Sequence, residues 1–335
     1  MESNVFRWCF IGTGTLAGQV AKEITRSGRH RIVSVFTRRF EKAESFAKLY
    51  SAKAFRTASE AISSGDVDGV YVVTPHNSHY EYVKLALELG KPVLCEKSFT
   101  TDALHAEELI RLAEEKGVYL AEAMWTWFSP VANKVSQWLS DGEFGEIRTV
   151  IAHYHFNSQG YAPRVTDPNR AGGALLDVGV YPITYLYRLF GMPVEIKCCG
   201  VLKNGIDLYE DVALTFQNGK TFIASASVVD YKGLEKLKII GTDARICIPF
   251  FHSTNKAVLH RRHGKKEVFL GDGSMTNEFD RASEEIRNGQ TESKFVPHKA
   301  TLDVMKIMDE CRRQMNLIYP FEQESAENGK KGFRE

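Results

Sequence analysis

Short apolar runs alternate with helical patterns over residues 5–121. The runs are rich in Val, Ile and aromatic residues, as strands buried on both faces are, and they occupy 6–11, 32–37, 69–74, 92–96 and 118–121. Between them apolar residues recur near the helical period, as in 79–89 and 101–116. Repeated strand–helix units predict an α/β domain with a doubly wound parallel sheet and helices on both faces.

After about residue 122 the pattern changes to alternating strands joined by short turns. Strands are predicted at 147–156, 194–201, 208–217, 220–230, 234–241 and 244–249. Gln217-Asn218-Gly219-Lys220 predicts a hairpin with a type I′ turn. Helical patterns occur at 178–190, 276–288 and 299–315. This half predicts a second, α+β domain with an open, largely antiparallel sheet.

Length and charge fit two domains and exclude several classes of protein. The chain has 335 residues, and its 43 Lys and Arg balance 42 Asp and Glu, so we expect neither a nucleic-acid nor a membrane partner. No run approaches the ~18 uninterrupted apolar residues of a membrane span, and residues 1–5 lack the pattern of a signal peptide. The six cysteines fit neither a zinc pattern nor a disulfide framework, so we expect no metal and a cytoplasmic location.

A glycine-rich turn follows the first strand and opens a helix. Gly12-Thr13-Gly14-Thr15-Leu16-Ala17 has the form G-x-G-x-x-A, in which Gly12 allows the tight turn and Gly14 lets the backbone approach a pyrophosphate. Ala17 lets the helix pack closely on the strand, and the helix N-terminus favours phosphate. The motif predicts a dinucleotide-binding Rossmann domain.

The second predicted strand ends at Thr37-Arg38-Arg39, where an NAD site usually carries an acidic residue. Guanidinium groups match a phosphate in geometry and charge, so these residues favour NADP over NAD. The alternative is that Arg38 and Arg39 are a solvated pair in a loop.

Three further segments carry candidate chemistry. Thr74-Pro75-His76-Asn77-Ser78-His79 and Glu96-Lys97-Ser98 end two strands at the edge of the sheet where ligands bind. Gly172–Tyr181 starts a helix in the second domain and puts Asp177 and Tyr181 at i and i+4, on one face. His76 and His79 either line the nicotinamide or cap the following helix.

These segments resemble the glucose–fructose oxidoreductase/inositol dehydrogenase (Gfo/Idh/MocA) family, most closely its branch of dimeric dihydrodiol dehydrogenases and sugar dehydrogenases. The resemblance covers about 1–320, and its most specific parts are Cys95-Glu96-Lys97, Glu122-Ala123-Met124-Trp125-Thr126 and Gly172–Tyr181. It implies a Rossmann domain, an open-faced sheet that often mediates dimerisation, and NAD(P)-dependent oxidation of a secondary alcohol or the reverse reduction. Two departures are Ser98 in place of the usual Pro and Ala171 in place of the first Gly of a Gly-Gly-Gly.

Carried over from the family, Lys97 matches the catalytic lysine, and Asp177 and Tyr181 match the acidic and acid/base positions. A base must take the hydroxyl proton as hydride leaves the carbon, and a free Tyr with a pKa of ~10 does so poorly. An ammonium ~4 Å away contributes ~4 kcal/mol at an effective dielectric of ~20. We therefore expect Tyr181 to be the acid/base, Lys97 its electrostatic partner, and Asp177 to orient Lys97 or bind a neighbouring hydroxyl.

The remaining site predictions concern binding. Cofactor contacts are expected from Gly12, Thr13, Gly14, Thr15, Leu16, Thr37, Arg38, Arg39, Thr74, Pro75, His76, His79, Glu96 and Lys97. Substrate contacts are expected from Lys97, Trp125, Phe156, Arg164, Asp177 and Tyr181, whereas core packing is favoured for Trp127. The run from Arg261 to Lys266 predicts a solvated basic hairpin turn.

Together these observations predict three parts: a dinucleotide-binding domain (1–122), a domain for substrate binding and dimerisation (123–321) and a flexible polar tail (322–335). The expected activity is hydride transfer between NADP and a sugar-like or cyclic vicinal diol or the matching ketone, in a homodimer or higher oligomer formed through the second sheet. The alternatives are an anhydrosugar or dicarbonyl reductase, or a non-catalytic cofactor-sensing regulator of the same fold.

Overall fold

The structure is a computed structural model that describes residues 5–158, 163–264 and 266–323. It divides into two compact units. Unit 1 comprises the chain up to Ser129 together with Gly273–Leu302, and unit 2 comprises Pro130–Asp272 together with the chain from Asp303 onward. The predicted tail 322–335 lies outside the described residues apart from its first two.

Unit 1 contains a six-stranded sheet whose strands all pair in parallel. In chain order the strands are β1 (Phe6–Ile11), β2 (His30–Phe36), β3 (Lys53–Ala54), β4 (Gly69–Val72), β5 (Val93–Glu96) and β6 (Leu120–Ala123). Their spatial order is β3-β2-β1-β4-β5-β6. The predicted doubly wound parallel sheet is confirmed, and within this sheet the two-residue β3 was not predicted.

Ten helices connect or flank the strands of the two units within the described residues. They are α1 (Thr15–Arg26), α2 (Phe40–Tyr50), α3 (Ala58–Ile62), α4 (His79–Glu88), α5 (Ala103–Lys116), α6 (Trp125–Phe128), α7 (Pro130–Ser140), α8 (Val180–Phe190), α9 (Thr276–Arg287) and α10 (His298–Met315). None of these helices is both long enough and apolar enough to cross a membrane.

Helix α9 belongs to unit 1, although the sequence analysis places 123–321 in a single second domain. Phe279 is fully buried, with its ring 5.2 Å from Trp8 and 4.9 Å from Tyr71, both in edge-on contact. Asp280 bonds Arg29 at 2.7 Å and lies 2.9 Å from His30. The apolar face of α9 therefore completes the core beneath β1 and β4. Helical periodicity predicts such a face but does not say which sheet it covers.

Unit 2 contains an eight-stranded sheet in which only β7 and β10 pair in parallel. The strands are β7 (Ile147–Asn157), β8 (Glu195–Lys203), β9 (Ile206–Thr215), β10 (Thr221–Ser227), β11 (Val229–Gly241), β12 (Ala244–Pro249), β13 (Lys256–Arg261) and β14 (Lys266–Leu270). Their spatial order is β14-β13-β12-β11-β7-β10-β9-β8. The largely antiparallel sheet is confirmed, and the predicted basic turn joins β13 to β14.

The type I′ turn lies at a different hairpin from the predicted one. Between β9 and β10 only Gly219 has a positive φ, and Phe216 donates its N–H to the Lys220 carbonyl, which closes a three-residue loop. Between β8 and β9, Asn204 and Gly205 have φ values of 53° and 79°. This two-residue loop has the positive φ at both positions that a type I′ turn requires. The Asn-Gly signal was correct for a hairpin at 217–220 but wrong for the turn type there.

One face of the unit 2 sheet carries helix α8 and the turn before it. A small apolar core lies under this turn and includes Ala174, Val178, Ala226 and Val228. The opposite face of the sheet carries the alternate residues of β12, β11, β7 and β10, which are more accessible. One row of neighbouring residues across these four strands is Cys247, Lys238, Ile151 and Ile223.

Candidate active site

The glycine-rich turn after β1 is fixed by close backbone contacts. Gly12 has a φ of +115°, and a Cβ atom there would lie 2.5 Å from the Val73 carbonyl oxygen. The Gly12 N–H donates to the Phe36 carbonyl at 2.8 Å, which ties the turn to the end of β2. Only glycine fits this position, as the fingerprint requires.

The N-terminus of α1 suits a phosphate group. Its N-cap is Gly14, which offers no side-chain hydrogen bond, and the first turn carries no acidic residue. A Cβ at Gly14 would meet nothing within 4 Å, and both Gly14 and Thr15 are exposed. The first N–H groups of α1 are thus available to an anion, and the helix dipole favours negative charge there.

The end of β2 suits a further phosphate. Thr37 is half-buried, and Arg38 and Arg39 are exposed just before α2. These side chains stand where an NAD site carries a carboxylate, and two guanidinium groups fit an additional phosphate better than a 2′-hydroxyl. The residues of unit 1 therefore fit NADP.

His79 ties together the loops that follow β4 and β5. It is fully buried, with Nε2 2.8 Å from the Thr74 carbonyl oxygen and Nδ1 3.0 Å from that of Ser98. Burial lowers the pKa of His79, against the effect of these carbonyl contacts. The structure thus places His79 as a brace between two loops, and His76 is buried with its ring 5.8 Å away. The buried Thr74 Oγ1 has no hydrogen-bond partner among the described residues, so it can bond a bound cofactor.

Lys97 is the first residue after β5 and is half-buried. The preceding Glu96 is buried, accepts a hydrogen bond from the Tyr71 hydroxyl at 2.6 Å, and accepts one from the Lys97 N–H at 3.2 Å. Ser98 is fully buried, and the Lys97–Ser98 peptide bond is cis. Hydrogen bonds on both sides thus fix the backbone that presents the Lys97 side chain.

A second buried carboxyl group, Glu122, lies on the neighbouring strand β6, where it pairs in register with Cys95. The Thr301 hydroxyl donates to its Oε2 at 2.9 Å. The pKa of Glu122 is raised to about 7, chiefly by burial and also by the charge of Glu96, while the Thr301 hydrogen bond and the charge of Lys97 act to lower it. In the sequence Glu122 stands out only as part of the family motif Glu122-Ala123-Met124-Trp125-Thr126. The sequence feature that could have identified Glu122 as a candidate site residue is a carboxylate inside an otherwise apolar strand.

In unit 2 a single wide turn carries the predicted acid and acid/base positions. Leu175–Gly179 forms a π-helical turn that leads into α8, so α8 begins at Val180 and not at residue 178 as predicted. The buried Asp207 of β9 accepts a hydrogen bond from the Leu175 N–H at 2.5 Å and so holds the start of this turn. A Cβ at Gly173 would lie 2.0 Å from Asp207 Oδ1, which explains the glycine there.

Asp177 and Arg164 form an ion pair with an Nη1–Oδ1 distance of 2.6 Å. The carboxylate is buried and the guanidinium is partly exposed. The structure therefore brings together two of the predicted substrate-contact residues, and the pairing compensates the buried charge of Asp177.

Tyr181 is 8% exposed and lies in an aromatic cluster. Its ring is 5.6 Å from Tyr154 and 5.4 Å from His252, and Tyr154 in turn lies 6.3 Å from Phe156. The sequence analysis missed Tyr154 and His252. Tyr154 belongs to an alternating strand and His252 to a loop, and neither position has a sequence signal.

The two tryptophans of α6 lie in unit 1. Trp125 is half-buried, and Trp127 is buried, as core packing requires.

Substitutions at the two glycines of the turn are expected to separate folding from binding. Gly12→Ala places a Cβ against the Val73 carbonyl at a positive φ, so it should lower the Tm of the cofactor-free protein and abolish NADP binding. Gly14→Ala meets no protein atom within 4 Å, so it should leave the Tm unchanged and weaken NADP binding at least about tenfold. Thermal denaturation and fluorescence titration measure the two effects. Equal loss of Tm in both variants would contradict this assignment.

Glu122→Gln is expected to change stability with pH. Because the folded pKa of about 7 lies above the ordinary value of 4.5, the carboxyl opposes folding increasingly between these pH values and fully above them. The variant should therefore be more stable than wild type at about pH 8, by up to about 3 kcal/mol, and nearly equal to it at about pH 4.5. Urea denaturation at both pH values tests this, with the exposed Glu88→Gln as the control. A constant difference between Glu122→Gln and wild type would refute it.

Comparisons with known proteins agree with this geometry. The family described as "Oxidoreductase family, NAD-binding Rossmann fold" matches residues 6–124, and the GFO/IDH/MocA C-terminal domain matches residues 132–247. The chain is 29% identical to trans-1,2-dihydrobenzene-1,2-diol dehydrogenase of Mus musculus, over 94% of this chain and 98% of that protein. It is 30% identical to scyllo-inositol 2-dehydrogenase (NADP(+)) IolU of Bacillus subtilis, over 95% of this chain and all (100%) of that protein.

A further relative and a solved structure also match this chain. D-xylose 1-dehydrogenase (NADP(+)) of Hypocrea jecorina is 30% identical, over 94% of this chain and 93% of that protein. The 3-ketoreductase KijD10 of Actinomadura kijaniata, solved with NADP and TDP-benzene, has the same fold with a TM-score of 0.84 at 24% identity, over 93% of this chain and 98% of that one. The chain therefore belongs to the GFO/IDH/MocA oxidoreductase family, which confirms the resemblance carried by its sequence motifs.

Proposed function

We propose that this protein transfers hydride reversibly between NADP and a secondary alcohol or ketone of a sugar-like or cyclic vicinal diol. The proposal rests on one observation: all three predicted catalytic residues are present, and the backbone holds each of them at a defined place. Lys97 follows β5, and Asp177 and Tyr181 lie on the turn that opens α8. The named relatives act on a dihydrodiol, a pentose and an inositol, all of which carry adjacent hydroxyl groups.

The cofactor preference is supported by two independent features. Arg38 and Arg39 are exposed at the end of β2, where a 2′-phosphate needs a cation. Two of the relatives carry NADP(+) in their names. NAD binds through the same glycine-rich turn and remains the weaker cofactor in this proposal.

Each proposed catalytic residue has a separate role. The nicotinamide supplies the hydride acceptor, or in reduction the hydride donor. Tyr181 takes the hydroxyl proton during oxidation and returns it during reduction, and Lys97 supplies positive charge to the substrate oxygen. Asp177, already paired with Arg164, accepts a hydrogen bond from a neighbouring substrate hydroxyl.

The decisive experiment follows NADPH absorbance over a panel of cyclic diols, pentoses, inositols and their ketones. Wild type should turn over at least one class, with a higher kcat/KM for NADP than for NAD. Tyr181→Phe should lower kcat about 10²–10⁴-fold, since it removes the acid/base hydroxyl. The control Tyr187→Phe removes a hydroxyl on the same helix that bonds Asp303 at 2.8 Å, and it should keep near-normal kcat.

Two results would contradict the proposal. Retention of more than about a tenth of kcat in Tyr181→Phe would remove the acid/base role. Binding of NADP without turnover on every compound would favour a cofactor-sensing regulator of the same fold.

We also propose that a second copy of this chain covers the accessible face of the unit 2 sheet. Across β10, β7, β11 and β12 that face combines aliphatic side chains such as Ile223 and Ile151 with Lys238 and Cys247. Protein interfaces combine aliphatic and polar side chains in this way. Light scattering should give twice the chain mass for wild type and the chain mass for Ile151→Lys. A wild-type protein that is monomeric at micromolar concentration would exclude this interface.

A further inference from the structure

Two buried carboxyl groups lie against the turn Leu175–Gly179. Asp207 and Glu210 of β9 are three residues apart, and both are almost fully buried. The pairing of β8 with β9 shifts by one residue at Leu208, which breaks the alternation of the strand. Both side chains therefore reach the same side of the sheet, where they meet the turn.

The two groups contact opposite ends of the turn. Asp207 Oδ2 accepts the Leu175 N–H at 2.5 Å. A Cβ atom at Gly179 would lie 2.5 Å from Glu210 Oε1, and the next nearest atom, the Ala226 Cβ, would be 3.4 Å away. Gly179 has a φ of −63°, an ordinary helical value, so its backbone does not require glycine. The absence of a side chain there makes room for the Glu210 carboxyl group.

The remaining oxygens indicate a hydrogen bond between the two carboxyl groups. Asp207 Oδ1 and both Glu210 oxygens are buried, and no N–H or hydroxyl group of the described residues donates to them. The two groups are close enough to bond each other. Because a carboxylate only accepts, the pair satisfies these atoms when one carboxyl keeps its proton and donates to the other.

Glu210 is the group that keeps the proton. Burial, and then the charge of Asp207, raises the pKa of Glu210 well above its usual range. Burial also raises the pKa of Asp207, but the hydrogen bonds from Leu175 and from Glu210 act to lower it. Cys198 and Asp211 also act on Glu210, and as acidic groups they oppose its ionisation further. Glu210 is therefore the donor and Asp207 the acceptor.

We propose that Glu210 is a positioning residue that donates a hydrogen bond to Asp207. The bonded pair holds the turn that carries Asp177 and leads into Tyr181. This inference rests on the proposed catalytic roles of those two residues. The pair exchanges no proton with the substrate, and its effect on the reaction is the place at which it holds the two side chains.

Two variants separate the hydrogen bond from the side-chain volume. Glu210→Gln keeps an N–H donor, so kcat should stay within about twofold of wild type. Glu210→Met leaves Asp207 Oδ1 without a donor, so kcat should fall about ten- to hundredfold, the size for a small misplacement of reacting groups. The Kd for NADP, which we assign to unit 1, should not change. A role in stability alone would lower the Tm of Glu210→Met and leave the kcat of the folded protein at the wild-type value.

Amide hydrogen exchange at Leu175 tests the pair without turnover. In the cofactor-free protein this exchange should be at least about tenfold faster in Glu210→Met than in wild type, and unchanged in Glu210→Gln. The control Asp211→Asn alters the next carboxyl of β9, which bonds the Tyr209 hydroxyl, and should leave both exchange and kcat unchanged. Wild-type kcat or wild-type Leu175 exchange in folded Glu210→Met would overturn the proposal.

Gly179→Ala decides the outcome if Glu210→Met does not fold. Alanine at a helical φ normally stabilises a helix and slows exchange. Here its Cβ displaces Glu210 Oε1, so exchange at Leu175 should be faster and kcat lower. Slower or unchanged exchange would refute the role of Glu210. If Tyr181→Phe keeps its activity, the proposed function fails, and the exchange at Leu175 still decides whether the pair holds the turn.

Discussion

Parallel pairing of β2, β1, β4 and β5 is the constraint on which the chemistry of unit 1 depends. Because these strands run in one direction, the segments that follow them all leave the sheet at the same edge. These four segments are the arginine pair after β2, the glycine-rich turn after β1, the Thr74 loop after β4 and Lys97 after β5. The hydrogen bond from Gly12 to Phe36 and the contacts of His79 with the carbonyls of Thr74 and Ser98 then fix neighbouring segments to each other. The edge is thus a braced surface of backbone groups around the N-terminus of α1.

Three buried carboxyl groups of the two units have different partners. Asp177 is buried in unit 2 and paired with Arg164, whose guanidinium compensates a negative charge there. Glu122 has a neutral hydroxyl donor and a raised pKa, so it holds a proton up to about pH 7. Glu235 stands against a histidine and one backbone N–H. Asp177 therefore has a charged partner within unit 2, whereas Glu122 is a group that titrates near neutral pH.

Local pattern predicted the elements of this fold better than their packing. The apolar runs predicted β1, β2, β4 and β5 to within two residues at each end, and Gly12 was correct because the local motif marks a turn with a positive φ. Helical spacing also predicted α9, but its place beneath β1 depends on Phe279 meeting Trp8 and Tyr71, which are more than two hundred residues away in sequence. Asn-Gly at 218–219 signalled a hairpin, while the loop length that decides the turn type depends on how the strands pair. The contact of Glu235 with His252 also depends on how the strands pair, so no sequence motif could predict it.

The two departures from the family pattern lie where neighbouring bonds hold the backbone. Ser98 stands in place of a proline, and its carbonyl is held by the buried ring of His79. Ala171 stands in place of a glycine and takes a φ of 52°, a left-handed conformation that costs a non-glycine residue about 1 kcal/mol. Its N–H donates to the Pro168 carbonyl at 3.2 Å, and the next N–H, of Gly172, donates to Asp167 at 3.1 Å. At Ser98 a hydrogen bond thus restricts the backbone where a proline ring would, and at Ala171 the neighbouring hydrogen bonds offset a left-handed strain that a glycine would not have. The position of a reacting side chain therefore depends on the bonded loop as a whole, and the residue type at one point can change without loss of the geometry.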